Sequence, residues 1–219
     1  MTKSRLNIFI FASAAAAIFA LSMQFDTAFL WLKPLTTILV ILVPLLFGPQ
    51  GKSGLLKLTI AALIACLAGD IFLLNEEYFV YGLSAFLLAQ LTFAAIFYQL
   101  AGRQFYLLPL LGVLLFGGAS YSQLQPHLGD LAIPVAVYTA CILLMCWQSI
   151  GVYLYRKDSV GKLIAAGALL FVFSDSAICV NKFLYPFELS GLVILSSYWL
   201  AIAMIANAIS LLSQSEKQS

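Results

Sequence analysis

Long apolar runs, each closed by a few charged, glycine or proline residues, dominate this chain. Apolar residues make up 63% of the 219 residues and charged residues only 9%, whereas a soluble domain carries about 25% charged residues. A bilayer's hydrocarbon core is roughly 30 Å thick and takes about 20 apolar residues per helical crossing. The runs lack the alternation of a lipid-facing barrel strand. The sequence therefore predicts an all-α, polytopic membrane bundle.

We predict about eight transmembrane helices in a single transmembrane domain over residues 1–219, with loops so short that neighbouring helices are antiparallel. Apolar run ends place the helices at about 6–23, 31–48, 54–74, 77–100, 105–122, 130–155, 160–182 and 189–212. The first helix, which follows Lys3 and Arg5, also resembles a signal peptide. We expect it to be retained, because Asp26 and Trp31 lead at once into the next span.

The basic residues are segregated between the two sides of the predicted bundle. One side holds Lys3, Arg5, Lys52, Lys57, Arg103, Arg156, Lys157, Lys162 and Lys217. The other side holds only Lys33 and Lys182, together with most of the acids. By the positive-inside rule both termini are predicted to be cytoplasmic. We expect a multi-pass protein of a bacterial cytoplasmic membrane. The net charge of +2 gives no reason to expect a nucleic-acid partner.

Two aspartates lie inside predicted spans, Asp70 in the third and Asp175 in the seventh. A charged side chain at mid-membrane costs about 2.5 to 3.5 kcal/mol on insertion scales, so such residues usually face the bundle interior and mark a site or pathway. Both spans run in the same direction, which places the two acids at similar depths in the outer half. We therefore predict that Asp70 and Asp175 form the functional centre.

Other polar groups are predicted to reach the same level and to form a substrate pocket. Lys182 is seven residues beyond Asp175, on the same face of a regular helix. The predicted substrate-binding residues are Lys33, Lys182, Asn75, Asn181 and Tyr198. Two alternatives remain open. The acids could be structural, each paired with a lysine, or they could relay protons or bind a headgroup in a transporter or lipid-binding protein.

The remaining polar and aromatic residues suggest structural roles. The four cysteines fall in apolar runs without metal or disulfide spacing, and the single histidine, His127, argues against a zinc site. We predict no metal and no cofactor. Trp31 and Trp199 are predicted to lie in the interfacial aromatic belt. A short echo of Gly69-Asp70 in Ser174-Asp175 suggests a parallel four-plus-four repeat.

The motifs around these residues resemble those of the lysoplasmalogenase family, the YhhN-like membrane proteins, over nearly the whole chain. The resemblance rests on Lys33-Pro34, Gly69-Asp70 with Phe72-Leu73, Gly82 with Phe86, the run from Gly167 to Ser176, Asn181-Lys182-Phe183 and Tyr198-Trp199-Leu200. Gln90 stands where a histidine is common in the family, and Ile202 where a glutamine is common.

The resemblance implies hydrolysis of the vinyl ether bond of a lysoplasmalogen, a lysophospholipid, to a fatty aldehyde and glycerophosphoethanolamine or glycerophosphocholine. This reaction begins with proton delivery to an alkene carbon and needs an acid beside a base or anion. Asp70 and Asp175 can divide these roles, and Lys33 or Lys182 can keep one of them ionised or hold the substrate phosphate. The residues do not indicate which aspartate is the acid.

Overall fold

The computed structural model describes residues 2–49, 51, 53–102 and 105–215, and this part of the chain contains eight long helices. They are α1 Lys3–Ser22, α2 Asp26–Phe47, α3 Ser53–Phe72, α4 Phe79–Ala101, α5 Leu107–Leu124, α6 Ala132–Arg156, α7 Ser159–Cys179 and α8 Ser190–Ser215. Each of the eight is long and apolar enough to cross a membrane. The predicted all-α membrane architecture and its number of spans are confirmed.

Helix ends differ from the predicted boundaries in two informative places. α2 begins at Asp26 rather than near residue 31, because a carboxylate in the first turn is favourable at a helix N-terminus. α7 does not continue as a regular helix to residue 182 but passes into a π-helical turn, Val180–Leu184. Such wide turns are rare and often occur at functional sites. This one follows Asp175 by little more than one turn.

Six helices form a closed ring in the order α2, α3, α4, α6, α7 and α8, with α8 packed back against α2. α1 packs outside the ring against α2 and α8, and α5 packs mainly against α6. The contacts of α1 to α4 thus recur in α5 to α8, and the α4–α6 contact has its counterpart in the α8–α2 contact. This contact pattern supports the parallel repeat that the sequence suggests.

The start of α1 and the end of α8 lie at the same end of the bundle. Lys3 Nζ donates to Ser210 Oγ at 3.0 Å, and the side-chain amides of Asn7 and Asn207 hydrogen-bond each other at 3.0 to 3.1 Å. We call the opposite end, which carries the α1–α2, α3–α4, α5–α6 and α7–α8 connections, the distal end. Of the basic residues in the predicted charge pattern, Lys52, Arg103 and Lys217 lie outside the described residues. A cytoplasmic location of the termini stays a prediction.

Gly69, directly before Asp70, allows α3 and α4 to approach closely. A Cβ built at Gly69 would lie 2.5 Å from the Phe86 ring. That ring cannot give way, because Phe171 and Tyr198 pack edge-on against it with centroids 6.2 and 5.6 Å away. The close packing of these helices therefore depends on a glycine at position 69.

Replacing Gly69 by alanine is expected to lower the thermal stability of the purified protein. Overpacking a well-packed core typically costs about 1 to 3 kcal/mol. Gly118→Ala is the matched control, since a Cβ at this helical glycine would meet nothing within 4 Å and alanine favours the helix. Equal melting temperatures for the two variants in detergent would show that the Gly69–Phe86 contact does not limit packing.

Candidate active site

Asp70 is held near the distal end of α3 by hydroxyl groups from two other helices. Its carboxyl is 1% exposed, and its Oδ2 accepts hydrogen bonds from Thr37 Oγ1 at 2.5 Å and Tyr198 Oη at 3.0 Å. Trp199 Nε1 donates in turn to Thr37 Oγ1 at 3.2 Å. The donors come from α2 and α8, so the carboxyl joins three helices of the ring.

Lys33 supplies a buried positive charge to the same region. Its side chain is 6% exposed, and the ammonium interacts electrostatically with Asp70. Lys33 Nζ also lies 6.0 Å from the centroid of the Phe29 ring, which is within the range of a cation–π contact. A buried charge needs such compensation. Among the described residues no salt bridge joins Lys33 to Asp70, so their attraction acts over a longer distance, and a role of Lys33 in the site stays a prediction.

Asp175 is held in α7 by donors from α4 and α6. Its Oδ2 accepts hydrogen bonds from the Tyr138 hydroxyl and from Gln90 Nε2, the latter at 3.2 Å. Asp70 accepts from α2 and α8, which are the equivalent helices if α1 to α4 repeat in α5 to α8. The two carboxyls therefore occupy matching positions in the two halves of the ring.

Two cavities meet at Asp175. The first, which we call the α5–α7 cleft, has a volume of about 130 Å³ and is bounded by α5, α6 and α7. The second, which we call the distal cavity, has a volume of about 30 Å³ and lies between the distal parts of α4, α6 and α7. Tyr138, Asp175 and Cys179 line both. Asp70 lines neither, so the two acids differ in how accessible they are.

An aromatic cluster connects the surroundings of the two acids. Phe86, Phe171 and Tyr198 pack edge to face, with ring centroids 5.6 to 6.2 Å apart. Tyr198 donates to Asp70, while Phe86 lines the distal cavity beside Asp175. Cys66, one helical turn before Asp70 on α3, is fully buried as well. The region between the acids is therefore closely packed.

Lys182 lies apart from Asp175 in the structure. It is exposed and sits over the Phe79 ring, with Nζ 4.5 Å from the centroid. Within the described part of the chain no salt bridge joins it to Asp175. The physical reason is the π turn, whose wider i→i+5 spacing rotates residue 182 away from the face it would share in a regular helix. Lys182 instead lies at the distal end, near the rim of the distal cavity.

The two asparagines predicted to bind substrate have contacts in distal loops. Asn75 Oδ1 accepts from the Glu77 backbone N–H at 3.0 Å and caps the turn Glu76–Tyr78. Asn181 Oδ1 accepts from the Phe187 backbone N–H at 3.2 Å. Both therefore shape the connections around the distal cavity, and their predicted contact with substrate stays a prediction.

Of the two tryptophans predicted to lie in the interfacial belt, Trp31 is exposed and Trp199 is buried. Trp31 is 74% exposed, as expected of a belt residue, but Trp199 is 2% exposed and hydrogen-bonds Thr37. Trp199 belongs to α8, the most enclosed of the eight helices, so its ring packs inside the bundle. Tyr198 also points inward, and it contacts Asp70 as a predicted site residue should.

Sequence reasoning missed Thr37, Tyr138 and Gln90 as partners of the acids. An internal signal existed for Tyr138, because it follows Lys33 by the same 105 residues by which Asp175 follows Asp70. Threonine and glutamine give no comparable signal, since both occur at many structural positions in membrane helices. Among the described residues, no group of three His, Cys, Asp or Glu side chains is arranged to hold a metal ion.

Gln90 combines a contact to Asp175 with an unsatisfied oxygen. It is fully buried, and its Oε1 has no hydrogen-bond partner among the described residues. An unpaired buried polar atom costs about 1 to 3 kcal/mol, which suits a residue kept for its contact to Asp175. A histidine in its place could also present an N–H to the carboxyl.

We expect Gln90→His to keep the activity of the purified protein within a few-fold and Gln90→Leu to lower it by up to about tenfold. Leucine removes one of the two hydrogen bonds that Asp175 accepts, and a typical hydrogen bond contributes about 0.5 to 1.5 kcal/mol. Steady-state kinetics on both variants, with thermal stability measured alongside, provide the check. Unchanged activity in Gln90→Leu would remove Gln90 from the site.

The fold and the site define a polytopic membrane protein with two buried aspartates, Asp70 and Asp175. Asp175 lies in the cleft beside the exposed helix α5. Residues 28–209 match the model of the YhhN family, and the chain belongs to that family, as its motifs suggest. It is similar to "Lysoplasmalogenase TMEM86A" of Homo sapiens, 34% identical over 152 residues, which are 66% of this chain and 61% of that protein. No solved structure shows significant similarity.

Two further relatives carry the same kind of name. "Lysoplasmalogenase TMEM86A" of Bos taurus is 34% identical over 144 residues, 63% of this chain and 59% of the relative. "Lysoplasmalogenase TMEM86B" of Homo sapiens is 31% identical over 159 residues, 72% of this chain and 65% of the relative. The matched region therefore spans about three-fifths of the length of these curated relatives.

Proposed function

We propose that this protein is a membrane-embedded hydrolase that cleaves the vinyl ether bond of lysoplasmalogen. The observation that carries the proposal is the position of Asp175, a buried carboxyl at which two cavities meet in a bundle of the YhhN family. The names of the relatives supply the substrate class. The products would be a fatty aldehyde and glycerophosphoethanolamine or glycerophosphocholine.

The reaction needs one proton donor and one water molecule. The donor protonates the alkene carbon that is not bonded to oxygen, which leaves an oxocarbenium ion at the neighbouring carbon. Water adds to that carbon and gives up a proton, which returns the acid to its starting state. The resulting hemiacetal collapses, breaking its bond to the glycerol oxygen and releasing aldehyde and alcohol. A positioned general acid typically contributes about 10² to 10⁴ in rate.

We assign the acid role to Asp175 and the anion role to Asp70. Tyr138 and Gln90 both donate to Oδ2 of Asp175, so Oδ1 is the oxygen available to a substrate. A carboxyl in apolar surroundings without a cation is the better proton donor, whereas one beside an ammonium stays ionised. Asp70 interacts with Lys33, and it supports the site as a fixed negative charge.

We place the headgroup of the substrate at the distal end. Lys182 is exposed there over Phe79, whose ring lines the distal cavity, and an ammonium can pair with the substrate phosphate. Asn75 and Asn181 lie at the same end as further hydrogen-bonding groups. With the termini in the cytoplasm of a bacterium, the substrate would be drawn from the outer leaflet of the inner membrane.

Purified protein in detergent, incubated with a defined lysoplasmalogen, is expected to release aldehyde that can be trapped and quantified. The same preparation in liposomes tests the transporter alternative through lipid or proton flux. Aldehyde release without flux supports the hydrolase. Flux without aldehyde would overturn it in favour of a transporter that uses the same acids.

A further inference from the structure

The α5–α7 cleft is accessible to molecules in the lipid phase. α5 packs mainly against α6, and it is the least buried of the eight helices. The cleft has a volume of about 130 Å³ and is partly open to its surroundings. Asp175 lies in its wall. A molecule in the surrounding lipid can therefore reach the proposed acid sideways, past α5.

The residues that line the α5–α7 cleft indicate which part of a lipid can bind there. Apart from Asp175, no residue lining the cleft carries a charge, and most of the lining is apolar. Two of the hydroxyls are already used, since Ser176 donates to the Val172 carbonyl at 2.8 Å and Tyr121 to the Ala132 carbonyl at 3.0 Å. A phosphate here would be desolvated without a cation, at high cost. The lining suits a hydrocarbon chain.

The cleft extends along the helices on both sides of Asp175. It begins at the distal end beside Leu124 and Leu184 and continues inward to Phe116 and Val172. At 1.5 Å per helical residue, the span from Leu184 to Val172 is roughly 18 Å. The distal cavity meets the cleft at Asp175. A lipid whose vinyl ether lies at Asp175 can therefore place its glycerol side in the distal cavity and its chain in the cleft.

We infer that the α5–α7 cleft binds the alkenyl chain of the lysolipid, admitted sideways from the membrane, and sets the chain-length preference of the enzyme. This inference rests on the proposed function. It places the headgroup at the distal end and the first chain carbons at Asp175. The distal cavity is then left to the glycerol side of the bond.

Narrowing the cleft should change which chains are accepted. Ser120 lines the cleft, whereas its neighbour Ala119 is exposed and does not. In Ser120→Phe, kcat/KM for a long-chain lysoplasmalogen should fall about tenfold or more relative to a short-chain one, because one methylene in an apolar pocket changes discrimination by about 10- to 200-fold. Ala119→Phe should leave the ratio unchanged.

Widening the cleft gives a second, independent test with residues that are at least half exposed. Phe116 lines the cleft, and Leu115 beside it is 75% exposed and does not line it. Phe116→Ala should shift the preference toward longer or branched chains, whereas Leu115→Ala should not. A distal-cavity variant, Leu83→Trp, should leave the chain-length ratio unchanged.

The inference fails if wild-type protein is active but neither cleft variant moves the chain-length ratio. It also fails if Leu83→Trp moves the ratio instead, because the chain would then occupy the distal cavity. Absence of aldehyde from wild-type protein with every chain length is a different outcome, which overturns the proposed function itself.

Discussion

Replacing Asp175 by asparagine is expected to lower kcat for aldehyde release by about 10² to 10⁴, the usual contribution of a positioned general acid. Asparagine keeps the shape of the side chain and can still accept from Tyr138 and Gln90, but it cannot donate a proton to carbon. Because Asp175 lies where the two cavities meet, we expect little change in substrate binding and a loss confined to the chemical step.

Asp130→Asn is the matched control for this experiment. Asp130 is an exposed carboxyl in the α5–α6 connection at the distal end, so Asp130→Asn makes the same chemical replacement without touching the site. The control should keep wild-type kcat and KM. If Asp175→Asn were as active as Asp130→Asn, with equal melting temperatures, Asp175 could not be the acid.

Replacing Asp70 by asparagine is expected to lower both stability and activity. The change removes the negative charge that attracts the buried Lys33 ammonium, and it replaces the acceptor of Thr37 and Tyr198 by a neutral one that forms weaker hydrogen bonds. Activity should fall about 10² to 10³, which is typical when a preorganised electrostatic group is removed from an active site. The melting temperature and kcat of Asp70→Asn provide the first measurement.

The double variant Lys33→Met/Asp70→Asn separates these two effects. Methionine removes the uncompensated charge and occupies a similar volume, so the melting temperature should recover toward the wild-type value. Activity should not recover if the Asp70 carboxylate supports the reaction. Recovery of both stability and activity in the double variant would show that Asp70 and Lys33 only hold α2 and α3 together.

Hydropathy was sufficient to predict the architecture because each crossing requires a long apolar run, and such runs are visible without knowing their contacts. The helix ends were less predictable. The π turn at Val180–Leu184 continues the apolar run of α7, so hydropathy does not distinguish it from a regular helix. That turn is why Lys182, predicted to share a face with Asp175, is exposed at the distal end instead.

The acids of the candidate site could be predicted because charge inside a span is costly and therefore conspicuous. Their uncharged hydrogen-bond partners could not be predicted in this way. Tyr138 and Gln90 look like ordinary residues of a helix, and only the packing of α4 and α6 against α7 brings them to Asp175. For Trp199 the sequence predicted an interfacial position, but the ring is buried. An amphipathic ring is suited both to the interface and to the interior, and only the helix contacts show which of the two positions it occupies.

Hydrolysis in D2O tests the central claim most directly. Protonation of the alkene carbon by an acid in exchange with solvent must place one deuterium on the carbon next to the aldehyde carbonyl. Wild-type protein with lysoplasmalogen should therefore yield aldehyde, trapped at once by reduction, that carries one deuterium there, and the saturated ether lysolipid should yield none. Aldehyde without that deuterium, or no aldehyde from the vinyl ether lipid, would contradict the account.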